Sequence, residues 1–233
     1  MTERMPRGER FHPTLYGRRK GKKLRSHHSL LVDEFLPQVT VVPSALAQKP
    51  LSAFARPLDD LWLEIGFGGG EHLAHDAKSR REIGFIGCEP FINGVAKLLA
   101  LIEEDELDNV RVHSGDALEV LKALPEASLG RIAILYPDPW PKTHQKKRRF
   151  ISDESVQELA RALRPGCELH FATDIDDYSA WALARILRSG LFDWQASAAS
   201  DWLTPWADWP GTRYEAKAIA AGRKPVYLTF VKR

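Results

Sequence analysis

The chain has 233 residues, 44% of them hydrophobic and 27% charged, enough to bury a full core as one domain with a terminal extension. The net charge of +2 and pI near 8.5 are too mild to name a partner, although the basic residues are concentrated at the N-terminus and after Trp140. No run has the apolar length of a membrane span and no cleavable leader is visible, so a cytoplasmic protein is expected.

Residues 1–28 carry Arg4, Arg7, Arg10, Arg18, Arg19, Lys20, Lys22, Lys23 and Arg25 with almost no apolar periodicity. Such a segment cannot offset its own ordering entropy, which leaves two readings, a solvated tail or an arm that orders on RNA phosphates. Glu3 and Glu9 and the lack of an amphipathic face argue against a presequence. Residues 29–233 are expected to form one domain, opening with a short helix and an irregular lead-in containing Pro37, Pro43, Pro50 and Pro57.

From Leu61 onward, short apolar runs alternate with segments of helical periodicity. The runs are Leu61–Ile65, Gly84–Cys88, Val110–Ser114, Ile132–Tyr136, Glu168–Thr173 and Val226–Val231. Between them, Val95, Leu98, Leu99 and Ile102 share one helical face, as do Ala117, Val120, Leu121 and Leu124. The same spacing links Val156, Leu159, Ala160 and Leu163, and then Ala180, Leu183, Ala184 and Leu187. Alternation of this kind predicts an α/β fold with a mostly parallel sheet, helices on both faces and right-handed crossovers. Phe192–Gln195 and Val226–Val231 are predicted to close it as a terminal strand pair. Ser152, followed by Asp153 and Glu154, suits a helix N-cap, and Gly190 suits a helix stop. Cys88 and Cys167 lack metal-ligand spacing and read as reduced core thiols.

Two stretches carry chemistry. The first is Leu61–Gly70, a strand entering a glycine-rich turn, where Gly66 and Gly68 permit close approach of a ligand to the backbone. An acid, Glu64, precedes the glycines, and Glu89 ends the next strand about twenty residues on, where a ribose diol is held in such folds. Because Glu64 would repel a pyrophosphate, the ligand should carry a cationic amino-acid end, as S-adenosylmethionine does. Asp116, beside Ala117 after the third strand, is placed to accept from an adenine amino group or to cap the following helix. With Asp138, four acids then fall at the ends of four successive strands, the rim where open α/β sheets bind ligands.

The second stretch is Ile132–Phe150, an apolar strand that stops at Tyr-Pro-Asp-Pro-Trp-Pro and continues into a basic segment. Asp138, Trp140 and the cations Lys142, Lys146, Lys147, Arg148 and Arg149 suggest work on a nucleic-acid base. Trp140 can stack on a splayed base or pack beneath the proline turn. Asp174 and Glu215 are candidates to accept from the Watson–Crick edge of guanine, and either can also be a surface or capping acid. Trp194, Trp202, Trp206 and Trp209 are expected to pack a loop onto the sheet edge. His27, His28 and His144 lack ligand spacing, so no metal is expected.

Glu-Ile-Gly-Phe-Gly-Gly-Gly, Gly-Asp-Ala, Tyr-Pro-Asp-Pro-Trp-Pro-Lys with its basic follow-on, Ala-Thr-Asp and Thr-Arg-Tyr-Glu together resemble the bacterial tRNA (guanine-N7)-methyltransferases, from about Arg18 to the C-terminus. The resemblance implies a class I methyltransferase fold, S-adenosyl-L-methionine as donor with S-adenosyl-L-homocysteine as product, and a target guanosine at position forty-six in the tRNA variable loop. It further implies that Glu64, Gly66, Gly68, Glu89, Asp116, Ala117 and Asp138 bind the donor, with Asp138 also at the catalytic position. Lys142, Asp174, Thr212, Arg213, Tyr214 and Glu215 match substrate-contacting positions of that family, and His144, Gln145, Lys146, Lys147, Arg148 and Arg149 its RNA-contacting segment. Tyr214 replaces a more usual phenylalanine, and residues 216–225 diverge from the family's glycine-rich ending. Competing readings are a methyltransferase for an exocyclic amine and a non-catalytic RNA-binding partner. The sequence leaves monomer or homodimer open.

Overall fold

The computed structural model describes residue 17 and residues 19–233. Most of the expected basic arm therefore lies outside the described residues. Its last part is docked on the domain: Ile92 donates to the Arg19 carbonyl at 3.0 Å, Gly21 N–H donates to Asn93 Oδ1 at 2.7 Å, and Asn93 Nδ2 donates to the Lys22 carbonyl at 2.7 Å. Helical structure begins inside the expected arm, with α1 (Ser26–Leu30), a π-helical turn (Leu31–Phe35) and α2 (Leu36–Val39). The widened turn comes immediately before Pro37, which has no N–H to give to the preceding turn and whose ring would crowd it. Short 3-10 turns at Pro43–Leu46 and Pro50–Ala53 complete the lead-in.

The strands are β1 (Asp60–Ile65), β2 (Ile83–Cys88), β3 (Val110–His113), β4 (Leu129–Leu135), β5 (Leu163–Thr173), β6 (Phe192–Trp194) and β7 (Val226–Lys232). They form one sheet in the order β3-β2-β1-β4-β5-β7-β6. β1 to β5 are parallel, while β7 runs antiparallel to both β5 and β6, so the expected C-terminal pair is present. From β1 the chain proceeds outward through β2 and β3, then returns to build β4 and β5 on the other side. The crevice at that reversal, above the C-terminal ends of β1 and β4, is where such sheets bind ligands.

The helices α3 (Glu71–Ser79) and α4 (Ile92–Glu104) cover one face together with the N-terminal helices. Leu73, Ala77, Val95, Leu98, Leu99 and Ile102 form its buried layer. On the opposite face lie α5 (Ala117–Ala123), α6 (Asp153–Ala162) and α7 (Asp176–Arg188). Apolar residues on both faces explain why the strands read as continuous hydrophobic runs, each fully buried Leu or Ile contributing about 1.5–3 kcal/mol.

Ser152 caps α6 as expected, accepting from Ser155 N–H at 3.1 Å while the Ser155 hydroxyl accepts from Ser152 N–H at 2.9 Å. Gly190 follows α7 with φ of 70°. The packed face of α7 differs from the expectation. Tyr178, Ala182 and Ile186 are buried, whereas Ala180, Ala184 and Leu187 are exposed and Leu183 is half-buried. Alanines and leucines occur on both sides of this helix, and the volume of Tyr178, stacked edge-on against Phe171 at 5.3 Å, decides which side turns inward. Cys88 is buried as expected, Cys167 is only half-buried, and both are free thiols.

Candidate active site

Between β1 and α3 the chain makes a left-handed turn at Gly66 and Gly68, with φ of 74° and 59°. A Cβ on Gly66 would meet nothing within 4 Å, so the backbone there faces open space. A Cβ on Gly94 in α4 would lie 2.0 Å from the Gly68 carbonyl oxygen, so α4 sits directly against the turn. Glu89 ties the two together. Its Oε2 accepts from Gly68 N–H at 2.8 Å and its Oε1 from Phe91 N–H at 2.9 Å. Burial raises the Glu89 pKa against the opposing pull of those two amides.

The turn opens on a cavity of about 590 Å³ that is lined, among others, by Gly66, Gly68, Glu89, Asp116, Ala117 and Asp138. Six of the seven expected donor-site residues thus meet in one place. Asp116 lines the cavity and also caps its helix, accepting from Leu118 N–H at 2.9 Å. Phe91 and Leu118 add apolar wall. The seventh residue, Glu64, does not line the cavity. It is buried and bonded through Oε2 to His72 Nδ1 at 2.7 Å, with Asp76 3.8 Å from the other ring nitrogen. Burial pulls the His72 pKa down, but the two carboxylates outweigh it and the net shift is upward. Nothing in the local spacing announces His72; it meets Glu64 only because α3 folds back over β1.

After β4 the backbone is held in left-handed conformations at Tyr136 (φ 51°) and Trp140 (φ 41°), on either side of Asp138. Strain of this kind in non-glycine residues is characteristic of functional turns. Asp138 opens on the cavity, and the protein crowding around it raises its pKa by desolvation. The basic segment behind it, a 3-10 turn at Thr143–Arg148, divides in two. Lys142, His144 and Lys147 are exposed and Gln145 is half-buried, while Lys147 and Arg148 also reach the cavity edge. Lys146 pairs with Asp177 at 2.6 Å, and the Arg148 guanidinium lies 5.0 Å over the Trp140 ring. Arg149, expected on RNA, points inward. It is buried, donates from Nε to the Pro139 carbonyl at 2.7 Å, pairs with Asp177, and stacks on Tyr178 and Trp181.

After the short α8 (Ser200–Leu203), the Thr212–Glu215 stretch forms the start of α9 (Arg213–Ala220). Thr212 is the N-cap, accepting from Glu215 N–H at 3.1 Å. Arg213 covers Gly69 and approaches Glu71 at 3.5 Å, and the Tyr214 ring covers Gly68 and lines the cavity. Glu215 is buried and already engaged. It accepts from Thr212 N–H at 3.2 Å, from Trp209 Nε1 at 2.8 Å and from the Tyr227 hydroxyl. Trp209 therefore does more than pack a loop, while Trp206, stacked on His170 at 4.4 Å, fits the packing role expected of it. Asp174 stands at the end of β5, paired with Arg223. Tyr136 lines the cavity, Trp209 and Tyr227 engage Glu215, and Arg223 engages Asp174, contacts that the sequence reading did not assign. Among them only Tyr136 carried a signal, as the aromatic end of an apolar run immediately before Pro-Asp-Pro.

Among the described residues no group of three or more His, Cys, Asp or Glu side chains can hold a metal, and no helix is long and apolar enough to cross a membrane.

The strand order, the glycine turn and the acids along the strand ends define a class I methyltransferase fold. Its likeness to solved structures agrees: a 16S rRNA methyltransferase, KamB, superposes with a TM-score of 0.54 at 16% identity, covering 76% of this chain and 89% of that one. A family model described as "Putative methyltransferase" matches residues 59–228. Proteins named tRNA (guanine-N(7)-)-methyltransferase are 48% identical in Agrobacterium fabrum, over 100% of both chains, and 48% identical in Nitrobacter hamburgensis, over 97% of this chain and 89% of that one. A further such protein from Brucella melitensis is 47% identical over 94% of each. The chain belongs to the tRNA (guanine-N(7)-)-methyltransferase family.

Proposed function

We propose that this protein transfers a methyl group from S-adenosyl-L-methionine to N7 of a guanosine in tRNA, at position forty-six of the variable loop, acting in the cytoplasm. The observation that carries the reading is the convergence of Glu89, Asp116 and Asp138 on one cavity whose edge holds Lys147 and Arg148. It supports reading the cavity as an anionic donor site with a cationic nucleic-acid path beside it.

The residues fit the donor. Gly66 leaves an open approach that a Cβ would fill. Glu89 offers an oriented carboxylate for ribose hydroxyls, Asp116 with Ala117 lies where an adenine amino group can be accepted, and Phe91 and Leu118 provide apolar contact. When bound, the donor supplies an electrophilic sulfonium methyl. Glu64 supports the site from behind through His72 and α3.

Guanine N7 bears a free lone pair, so the reaction asks the protein for alignment and for tolerance of a developing purine cation rather than for a general base. Asp138 supplies negative charge where that cation forms. The strained turn and Arg149 fix its direction. Asp174 accepts from the Watson–Crick edge of guanine, leaving N7 turned toward the donor. Tyr214 closes over Gly68 and Arg213 over Gly69, making the start of α9 a flap on the donor side. Lys142, His144, Gln145, Lys146, Lys147 and Arg148 present the surface for tRNA phosphates.

The test is incubation of the purified protein with labelled donor and unmodified tRNA, followed by N7-specific strand cleavage to map the methylated base. Cleavage at guanosine forty-six is the expected result. Methylation of an exocyclic amine, or of a guanosine elsewhere, overturns the corresponding part of the reading.

A further inference from the structure

Asp174 immediately follows Thr173, the last residue of β5, and so leaves the sheet at the same end as Asp138, which follows β4. The side chain is 14% exposed, and its Oδ2 accepts from Arg223 Nε at 2.5 Å. Its Oδ1 accepts no hydrogen bond among the described residues. Arg223 belongs to the turn between α9 and β7. Its own N–H is anchored on the Ala218 carbonyl at 2.9 Å, its side chain is 46% exposed, and it follows Gly222, around whose Cα there is open space. The contact joins two segments 49 residues apart, one of which is a surface turn.

Glu215, the other acid expected at the base, differs in kind. Its oxygens accept three hydrogen bonds from protein donors, and the group is buried. Asp174 has one partner, on an exposed arginine. The Tyr136 side chain lines the cavity. Burial, and then the nearby oxygens of Tyr227, Glu215 and Asp174, push its hydroxyl pKa upward.

A guanidinium group and the Watson–Crick edge of guanine present the same recognition pattern, two N–H donors on adjacent nitrogens of one planar unit. A carboxylate positioned for one is a partner for the other. We propose that Arg223 is a specificity-determining residue that occupies Asp174 in the free protein and yields it only to a base offering that donor pair. The inference rests on the reading of Asp174 as the guanine contact. Arg223 gives Asp174 one N–H, on Oδ2; guanine offers two and can also engage Oδ1, whereas adenine offers a single amino donor, no more than the arginine already supplies, and so leaves Asp174 to it. An internal competitor reduces apparent substrate affinity by the fraction of protein in which the carboxylate is already taken.

The experiment measures KM and kcat of the full chain for a short single-stranded oligoribonucleotide containing one guanosine, using Arg223→Ala, Arg223→Lys, Asp174→Asn and the Asp174→Asn/Arg223→Ala double variant, with folding checked by thermal melting. Arg223→Ala is expected to lower KM about two- to fivefold with kcat unchanged, the scale of releasing one partly exposed ion pair. Arg223→Lys, which keeps the charge without the planar donor pair, is expected to fall between wild type and Arg223→Ala. In the Asp174→Asn background the gain from Arg223→Ala is expected to vanish. A KM unchanged or raised by Arg223→Ala overturns the proposal, as does a gain that persists without the Asp174 carboxylate. Asp174→Asn by itself tests the underlying reading: an unchanged KM removes Asp174 from guanine recognition, whereas a raised KM combined with no gain from Arg223→Ala removes only the role of Arg223.

Discussion

The Nε of Arg149 donates to the carbonyl of Pro139, at 2.7 Å, and so fixes the residue that follows Asp138. The same guanidinium is closed in by Tyr178 and Trp181 and paired with Asp177. Arg149→Ala leaves the Pro139 carbonyl without its donor and opens a hole beneath the turn. Because Asp177 is half exposed and rehydrates, the expected loss is about 2–3 kcal/mol, measured by urea denaturation. The salt dependence of tRNA affinity should stay at the wild-type slope. Lys147→Glu is expected to do the reverse, leaving stability unchanged while weakening tRNA binding and flattening its log–log salt slope by about one or more.

Asp138 has a pKa raised by burial, above the ordinary aspartate value of about 3.9. If its charge stabilises the purine cation, kcat/KM should fall on the acid side of a pH profile with a midpoint above that value, and Asp138→Asn should abolish this limb. The asparagine variant is expected to lose about 100-fold in kcat at neutral pH, the scale of removing one preorganised electrostatic group. A full rate in Asp138→Asn would remove the residue from catalysis.

His72 is held between Glu64 and Asp76 with its pKa raised. The folded state therefore binds a proton more tightly than the unfolded chain, whose imidazole titrates near about 6.5. The stabilisation is fully present below that pH and is lost as the pH rises through the higher folded value. Denaturation midpoints taken across neutral pH should decline in wild type relative to His72→Gln. Parallel curves for the two proteins would show that the imidazole stays neutral.

Gly94 allows α4 to rest on the Gly68 carbonyl, with a would-be Cβ only 2.0 Å from that oxygen. Gly94→Ala must push the helix and the glycine turn apart, at about 1–3 kcal/mol in stability. Since Glu89 binds both turns, donor affinity measured by calorimetry should drop at least about tenfold. Wild-type donor affinity in a folded Gly94→Ala protein would contradict this account of the turn.

Much of the frame is legible in order along the chain. Val95, Leu98, Leu99 and Ile102 can be assigned to a buried helix face because their spacing is local and the polar Asn93, Lys97 and Glu104 fall on the opposite side. In α7 the same rule selects Ala180, Leu183, Ala184 and Leu187, although the core takes Tyr178, Ala182 and Ile186. Periodicity reports which residues are apolar, but packing also weighs volume, and an aromatic ring against Phe171 outweighs a row of alanines.

The sequence by itself determined the α/β alternation, the glycine turn, and the placing of Glu89, Asp116, Asp138 and Asp174 after successive strands, because strand length and direction settle where each chain segment leaves the sheet. Only the tertiary structure decided what each of those charges faces. Arg149 turns inward toward Asp177, Glu64 is taken by His72, Glu215 by Tyr227 and Trp209, and Asp174 by Arg223. Local propensity and periodicity are summed over neighbouring residues, whereas the partner of a buried charge is chosen by the closest donor in space. For the Glu89 carboxylate and the Gly68 amide that donor lies 21 residues away, and for Asp174 and Arg223 it lies 49 residues away.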